Sequence, residues 1–129
     1  MAIPVLILGE SGTGKSTSLR NLSQTETFLI SVIDKPLPFR NKYKKFEKDK
    51  DGVLNGNLFI TDNYSHIIKT INYINLSMPH IKNIIIDDFQ YIMANEYMRR
   101  SAESGWVKFT EMAKQIWEII DSIKNSRPD

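Results

Sequence analysis

The run Gly9-Glu10-Ser11-Gly12-Thr13-Gly14-Lys15-Ser16 constrains this chain more than any other stretch. It fits G-x-x-x-x-G-K-[ST] at every fixed position. Ile3-Pro4-Val5-Leu6-Ile7-Leu8 precedes it, short and almost wholly apolar, which predicts a buried parallel strand. Thr17-Ser18-Leu19-Arg20-Asn21-Leu22 follows, and a helix from Lys15 to about Leu22 is expected. Strand, glycine loop and helix, in that order, give the pattern a structural meaning. Gly9, Gly12 and Gly14 permit a tight curl in which successive backbone N–H groups converge on a triphosphate. A helix start at Lys15 would add unpaired N–H groups and a positive dipole end. On this reading Gly9, Glu10, Ser11, Gly12, Thr13, Gly14, Lys15, Ser16 and Thr17 form the nucleotide cradle. Lys15 would reach the β- and γ-phosphates, and the Ser16 hydroxyl would ligate Mg²⁺.

A second stretch carries matching chemistry. Asn83-Ile84-Ile85-Ile86-Asp87-Asp88 reads as a strand buried on both sheet faces, with two aspartates emerging at its C-terminal end. Open α/β sheets place their ligands at that end. The stretch resembles the second motif of P-loop ATPases, and that resemblance implies Asp87 as the Mg²⁺ partner and Asp88 as the residue polarising an attacking water, with Lys15 and Asp88 the expected catalytic pair. The alternative for either aspartate is a cap on the following helix.

At 129 residues the chain is expected to form one α/β domain, residues 1–129, with a basic insert and hairpin at about 35–60. The absence of cysteine excludes disulfides, thiolate metal sites and cysteine catalysis. No apolar run is long enough to span a membrane, and a cytosolic location is expected. Phe28–Ile33 predicts the second strand, and Pro36 and Pro38 then interrupt regular structure. Between 35 and 50 lie Lys35, Arg40, Lys42, Lys44, Lys45, Lys48 and Lys50, against Glu47 and Asp49 alone. Phe39, Tyr43 and Phe46 are interleaved among them, as in surfaces that stack bases and track phosphates of single-stranded DNA. A solvated loop whose aromatics tuck back onto the body is the competing reading.

Asp51-Gly52 and Asn55-Gly56 signal turns of a small hairpin, with Leu58–Ile60 as a short strand. A helix capped by Asp62 or Ser65 should run to about Met78, burying Ile67, Ile71 and Ile74. A further helix is expected from Phe89 to about Ala102. The clearest amphipathic helix spans Trp106–Ile123, with Phe109, Met112, Ala113, Ile116, Ile120 and Ile123 inward and both Trp106 and Trp117 packed. Arg99 and Arg100 are candidates for an arginine finger acting between subunits, which makes a second copy of the chain a candidate partner.

With both motifs placed, the chain resembles the small phage-encoded P-loop ATPases with a RecA-like, AAA-type core, some of which act with single-strand annealing recombination. Ile3–Ser16, Lys35–Arg40 with its two prolines, and Ile84–Tyr91 carry the resemblance. It implies a P-loop NTPase three-layer fold with a mainly parallel sheet, ATP and Mg²⁺ as cofactors, ATP hydrolysis, and action in phage DNA recombination or replication in the host cytoplasm. Adenine is expected over guanine, because Asn41-Lys42 continues as Tyr43-Lys44 and so lacks the N-K-x-D pattern. In such proteins a sensor strand lies between the phosphate-loop strand and the Asp-bearing strand, and the chain reaches Asp129 where that strand would begin. The fold is therefore expected to be C-terminally incomplete, with a slot between Ile3–Leu8 and Ile84–Ile86. A slot filled by another chain, or direct pairing as in kinases and GTPases, are the other outcomes. Two further functions stay open: a small-molecule or nucleotide kinase, and a nucleotide-binding switch or assembly protein with little turnover.

Overall fold

Apolar segments at 27–31, 58–60 and 83–87 supply the strands of a parallel sheet in the computed structural model, which describes residues 2–10 and 12–128. In chain order the strands are β1 (Thr27–Ser31), β2 (Glu47–Lys48), β3 (Leu54–Asn55), β4 (Leu58–Ile60) and β5 (Asn83–Asp87). The helices are α1 (Tyr64–Ser77), α2 (Gln90–Arg99) and α3 (Val107–Lys124). β1 is central, with β4 and β5 parallel on either side. Phe28 pairs with Ile84, Ile30 with Ile86 and Ser31 with Asp87, so all three strands finish at one edge of the sheet. All five β1 residues are buried, whereas β5 is half-buried throughout. The triple-isoleucine run was the expected two-faced core strand, but that place belongs to β1. Among the described residues β5 pairs with β1 alone, and three apolar residues in a row do not say whether a strand is central or at an edge.

Phe28, Ile30, Ile67, Ile71, Ile74, Ile92 and Ile119 form the centre of the core. Ile67, Ile71 and Ile74 line one side of α1, as their spacing predicts. Its cap is Asn63 rather than Asp62 or Ser65: the Asn63 side chain accepts from the N–H groups of Ser65 and His66. Asp62 instead accepts from Asn95 and Arg99 of α2. In α3 the buried positions are Lys108, Met112 and Ile119, with Ile116 and Ile123 half-buried and Phe109 and Ala113 exposed. The inward face is thus rotated from the expected one. Both faces contain Met112, Ile116 and Ile123, and packing against α1 decides between them. Trp106 and Trp117 lie outside it, 82% and 63% exposed, which corrects their expected packing.

The largest departure is at the start of the chain. Ile3–Leu8 forms no strand, and its apolar side chains other than Pro4 are 60–87% exposed. A strand is held by its ladder, and no ladder joins 3–8 to 84–87 among the described residues, so the direct pairing seen in kinases and GTPases is not formed. The segment is tethered at its beginning, where the Ala2 N–H donates to Ser126 O at 3.0 Å. Met1, Ser11 and Asp129 lie outside the described residues.

The hairpin forms where its turn residues predict. β2 and β3 pair antiparallel, and Gly52 takes φ +78° between them. Gly56 has a stricter reason to be glycine: φ is +106°, and a Cβ there would sit 2.2 Å from Lys45 O. This close approach lets residues 44–46 run beside β4, with Phe46 N–H donating to Leu58 O at 2.7 Å.

Candidate functional site

Between Gly9 and Thr17 the chain turns back on itself. Gly12 and Gly14 adopt φ +79° and +91°, conformations closed to most side chains. Thr13 closes the turn twice, its N–H donating to Glu10 O at 3.3 Å and its hydroxyl to the same oxygen at 2.7 Å. Lys15 curls over the loop, and its ammonium donates to Glu10 O at 2.9 Å and to Gly9 O. Ser11 belongs to the predicted cradle but lies outside the described residues.

The expected α-helix after the loop is reduced to a single 3₁₀ stretch, Thr17–Asn21. Ser18 contributes to this, because its hydroxyl donates back to Lys15 O at 2.6 Å. A helix this short supplies no useful dipole, so the cradle must rest on the loop amides and side chains themselves.

Two sequence motifs 71 residues apart meet here. The Ser16 hydroxyl donates to the Asp87 carboxylate, at 3.0 Å to Oδ2 and 3.2 Å to Oδ1. Asp87 is brought there by its register at the end of β5, opposite Ser31, and by its carbonyl accepting from Val32 N–H at 2.7 Å. A serine hydroxyl and an aspartate carboxylate are hard oxygen donors of the kind Mg²⁺ takes alongside phosphate oxygens and water. The residues therefore fit the ion, although among the described residues no three His, Cys, Asp or Glu side chains cluster to hold a metal by themselves. Asp88 is half-buried beside Asp87, its carbonyl accepting from Tyr91 N–H at 3.1 Å. Its carboxylate makes no hydrogen bond among the described residues, so it is not drawn into the Ser16 contact.

Both finger candidates are engaged within the chain. Arg99 spans Asp62 at 2.9 Å and Glu96 at 2.8 Å, and Arg100 spans Glu103 at 2.7 Å and Glu111. The hydrogen bonds that both guanidinium groups donate to these carboxylates hold them even further above their ordinary range. Correspondingly, Arg100 holds the Glu103 carboxyl below its usual value. Carboxylates at helix spacing, Glu96 three before Arg99 and Glu103 three after Arg100, were the signal available in the sequence.

In the basic stretch Phe46 is not free to stack on a base. Its ring meets Phe28 edge-on at 5.3 Å, Phe59 at 6.2 Å and Tyr73 at 5.6 Å, so it belongs to the core. Tyr43 is half-buried, and burial pushes its phenol above the ordinary value. One contact of the basic stretch has no signal in the sequence. Gln24 reaches into this region, its side-chain oxygen accepting from Lys42 N–H at 2.6 Å, and nothing in the sequence joins it to a loop 18 residues away.

No family model, curated protein or solved structure matches the chain. Among the described residues no helix is long and apolar enough to cross a membrane.

Proposed function

We propose that this α/β domain is a P-loop nucleotide-binding domain that takes ATP with Mg²⁺ and hydrolyses it. The observation that carries the reading is the Ser16–Asp87 contact, which joins the loop motif to the acidic strand end. Chance matches to a glycine-rich pattern have no reason to bring their serine onto an aspartate at a strand terminus. Both groups are those the chemistry requires, and Ser16 directly follows Lys15 in the chain.

Each side chain has a distinct task in this proposal. Lys15 exchanges the Gly9 and Glu10 carbonyls for β- and γ-phosphate oxygens, which are stronger acceptors because they are charged. Gly12 and Gly14 leave room for phosphates against the backbone, since among the described residues no atom beyond their chain neighbours lies within 4 Å of where their Cβ would be. Ser16 and Asp87 hold Mg²⁺, which neutralises charge on the phosphates when bound. Asp88, whose carboxylate makes no hydrogen bond among the described residues, orients the attacking water. The pairing of Arg99 and Arg100 with carboxylates lends no support to either as a finger, nor to the arginine clamp a kinase needs. A role in phage DNA recombination or replication rests on the resemblance of the motifs and is proposed on that footing.

Fluorescent-nucleotide titration tests the reading. Lys15→Ala should lose ATP binding while its circular dichroism spectrum stays that of wild type, because among the described residues the Lys15 ammonium hydrogen-bonds only to the Gly9 and Glu10 carbonyls. ATP should displace the probe at lower concentration than GTP. Undiminished affinity in Lys15→Ala would sink the proposal.

A further inference from the structure

Residues 35–50 place seven cations, all exposed, on one short segment: Lys35, Arg40, Lys42, Lys44, Lys45, Lys48 and Lys50. None of them forms an ion pair among the described residues, in contrast to Arg99 and Arg100. Formal net charge over the whole chain is only +2, so the rest of the molecule is net acidic and the positive charge is concentrated here. Of the two acids within the segment, Asp49 is occupied by the hairpin, accepting from the N–H groups of Asp51 and Val53 and from Asn55.

The segment is also held in place. Phe46 anchors it in the core, and Lys44 O accepts from Asn57 N–H at 2.8 Å and Leu58 N–H at 2.9 Å. Lys44 N–H donates to Asn57 Oδ1 at 2.9 Å, and the Asn57 side chain in turn donates to Gln24 O at 2.8 Å. Beside this scaffold an open hollow of about 600 Å³ is lined by Gln24, Arg40, Asn41 and Lys42. Gln24 Oε1 accepts from Lys42 N–H and Asn41 Oδ1 from Tyr43 N–H. The four lining residues include two cations, Arg40 and Lys42, and no acid. That charge balance favours an anion.

We propose that this face binds the sugar–phosphate backbone of nucleic acid, with one phosphate in the hollow against Arg40 and Lys42 and its neighbours along Lys44, Lys45 and Lys48. Arginine and lysine in a row suit a repeating polyanion, the guanidinium fork taking one phosphate and the ammonium groups serving as point charges. Base stacking plays no part, because Phe46 is in the core and Phe39 and Tyr43 are half-buried. Binding is therefore independent of sequence. A membrane surface is the weaker fit: interfacial binding needs apolar side chains beside the cations, and of the aromatics among them Phe46 is packed on Phe28, Phe59 and Tyr73 while Phe39 and Tyr43 are half-buried. The proposal does not depend on nucleotide binding at the loop.

Fluorescence anisotropy with labelled 20-mer DNA, between 50 and 200 mM salt, tests it. About five phosphate contacts predict a log–log salt slope of about −3.5 for single strands and roughly 10²-fold weaker binding across that range. Arg40→Ala/Lys42→Ala should weaken binding and flatten the slope by about 1.4, whereas homopolymers of thymidine and deoxyadenosine should bind alike. Thermal melting of the double variant, expected to match wild type, separates lost contacts from lost fold. DNA binding absent at 50 mM salt, binding insensitive to salt, or a double variant with wild-type affinity would each overturn the proposal. Capture by anionic vesicles without DNA binding would overturn it in favour of a membrane.

Discussion

Replacing Phe46 by alanine distinguishes a core aromatic from a base-stacking one. The ring is in contact with three others, on β1, β4 and α1, at centroid distances of 5.3–6.2 Å. Truncating a buried phenylalanine costs about 3–5 kcal/mol. Edge-to-face pairs contribute about 0.5–1.5 kcal/mol beyond the area they bury. Phe46 keeps part of its surface in water, which places the expected loss near the lower bound, at about 3 kcal/mol. For a chain of this length that corresponds to a fall of roughly 10 °C in Tm. Urea unfolding followed by circular dichroism gives the free energy directly, and Phe46→Leu should recover more than half of it. A loss under about 1 kcal/mol would refute the placement of Phe46 in the core and return it to the list of residues free to meet a ligand.

Gly56→Ala should destabilise by about 1–3 kcal/mol in the same assay, because the new methyl would meet Lys45 O at a position already at φ +106°. At Asp62 burial pushes the carboxyl up, but hydrogen bonds from Arg99 and Asn95 and the Arg99 charge outweigh it and hold it below its ordinary value. Its contribution is therefore full above the unfolded-state pKa and is lost as pH falls through the folded one. Asp62→Asn should lower stability near neutral pH by up to about 1 kcal/mol for so exposed a pair, with the difference vanishing in acid. Asp88→Asn should slow ATP turnover while leaving ATP affinity unchanged, measured by phosphate release and by titration; unchanged turnover would move the water-orienting role elsewhere.

Much of the architecture was legible because periodicity reports burial. The Ile67, Ile71 and Ile74 face of α1 is an example, and Asp51-Gly52 announced its hairpin by turn chemistry. Periodicity is silent about partners, however. Ile3–Leu8 has the composition of a core strand and lacks only a neighbour to pair with, which no local pattern reveals. In α3 two overlapping faces fit the same spacing, and Lys108 is buried because its ammonium can reach Glu103 O at 2.7 Å. Asn63 outcompeted Asp62 as a cap because Arg99 claims Asp62 from another helix. At the site, the two motifs could be read separately, but their meeting at Ser16 and Asp87 depends on the register of β5 and the return of the glycine loop. The aromatics of the basic stretch illustrate the same limit: composition places rings among cations, and only packing says which way Phe46 faces.

The central claim is that Ser16 and Asp87 together form the metal side of an ATP site. Calorimetric titration with ATP, in Mg²⁺ and then in EDTA, tests it directly on wild type and Asp87→Asn. Wild type should bind ATP more tightly with Mg²⁺ than without, and Asp87→Asn should lose that gain. Failure of wild type to bind ATP under either condition, or an equal Mg²⁺ gain in Asp87→Asn, would contradict it.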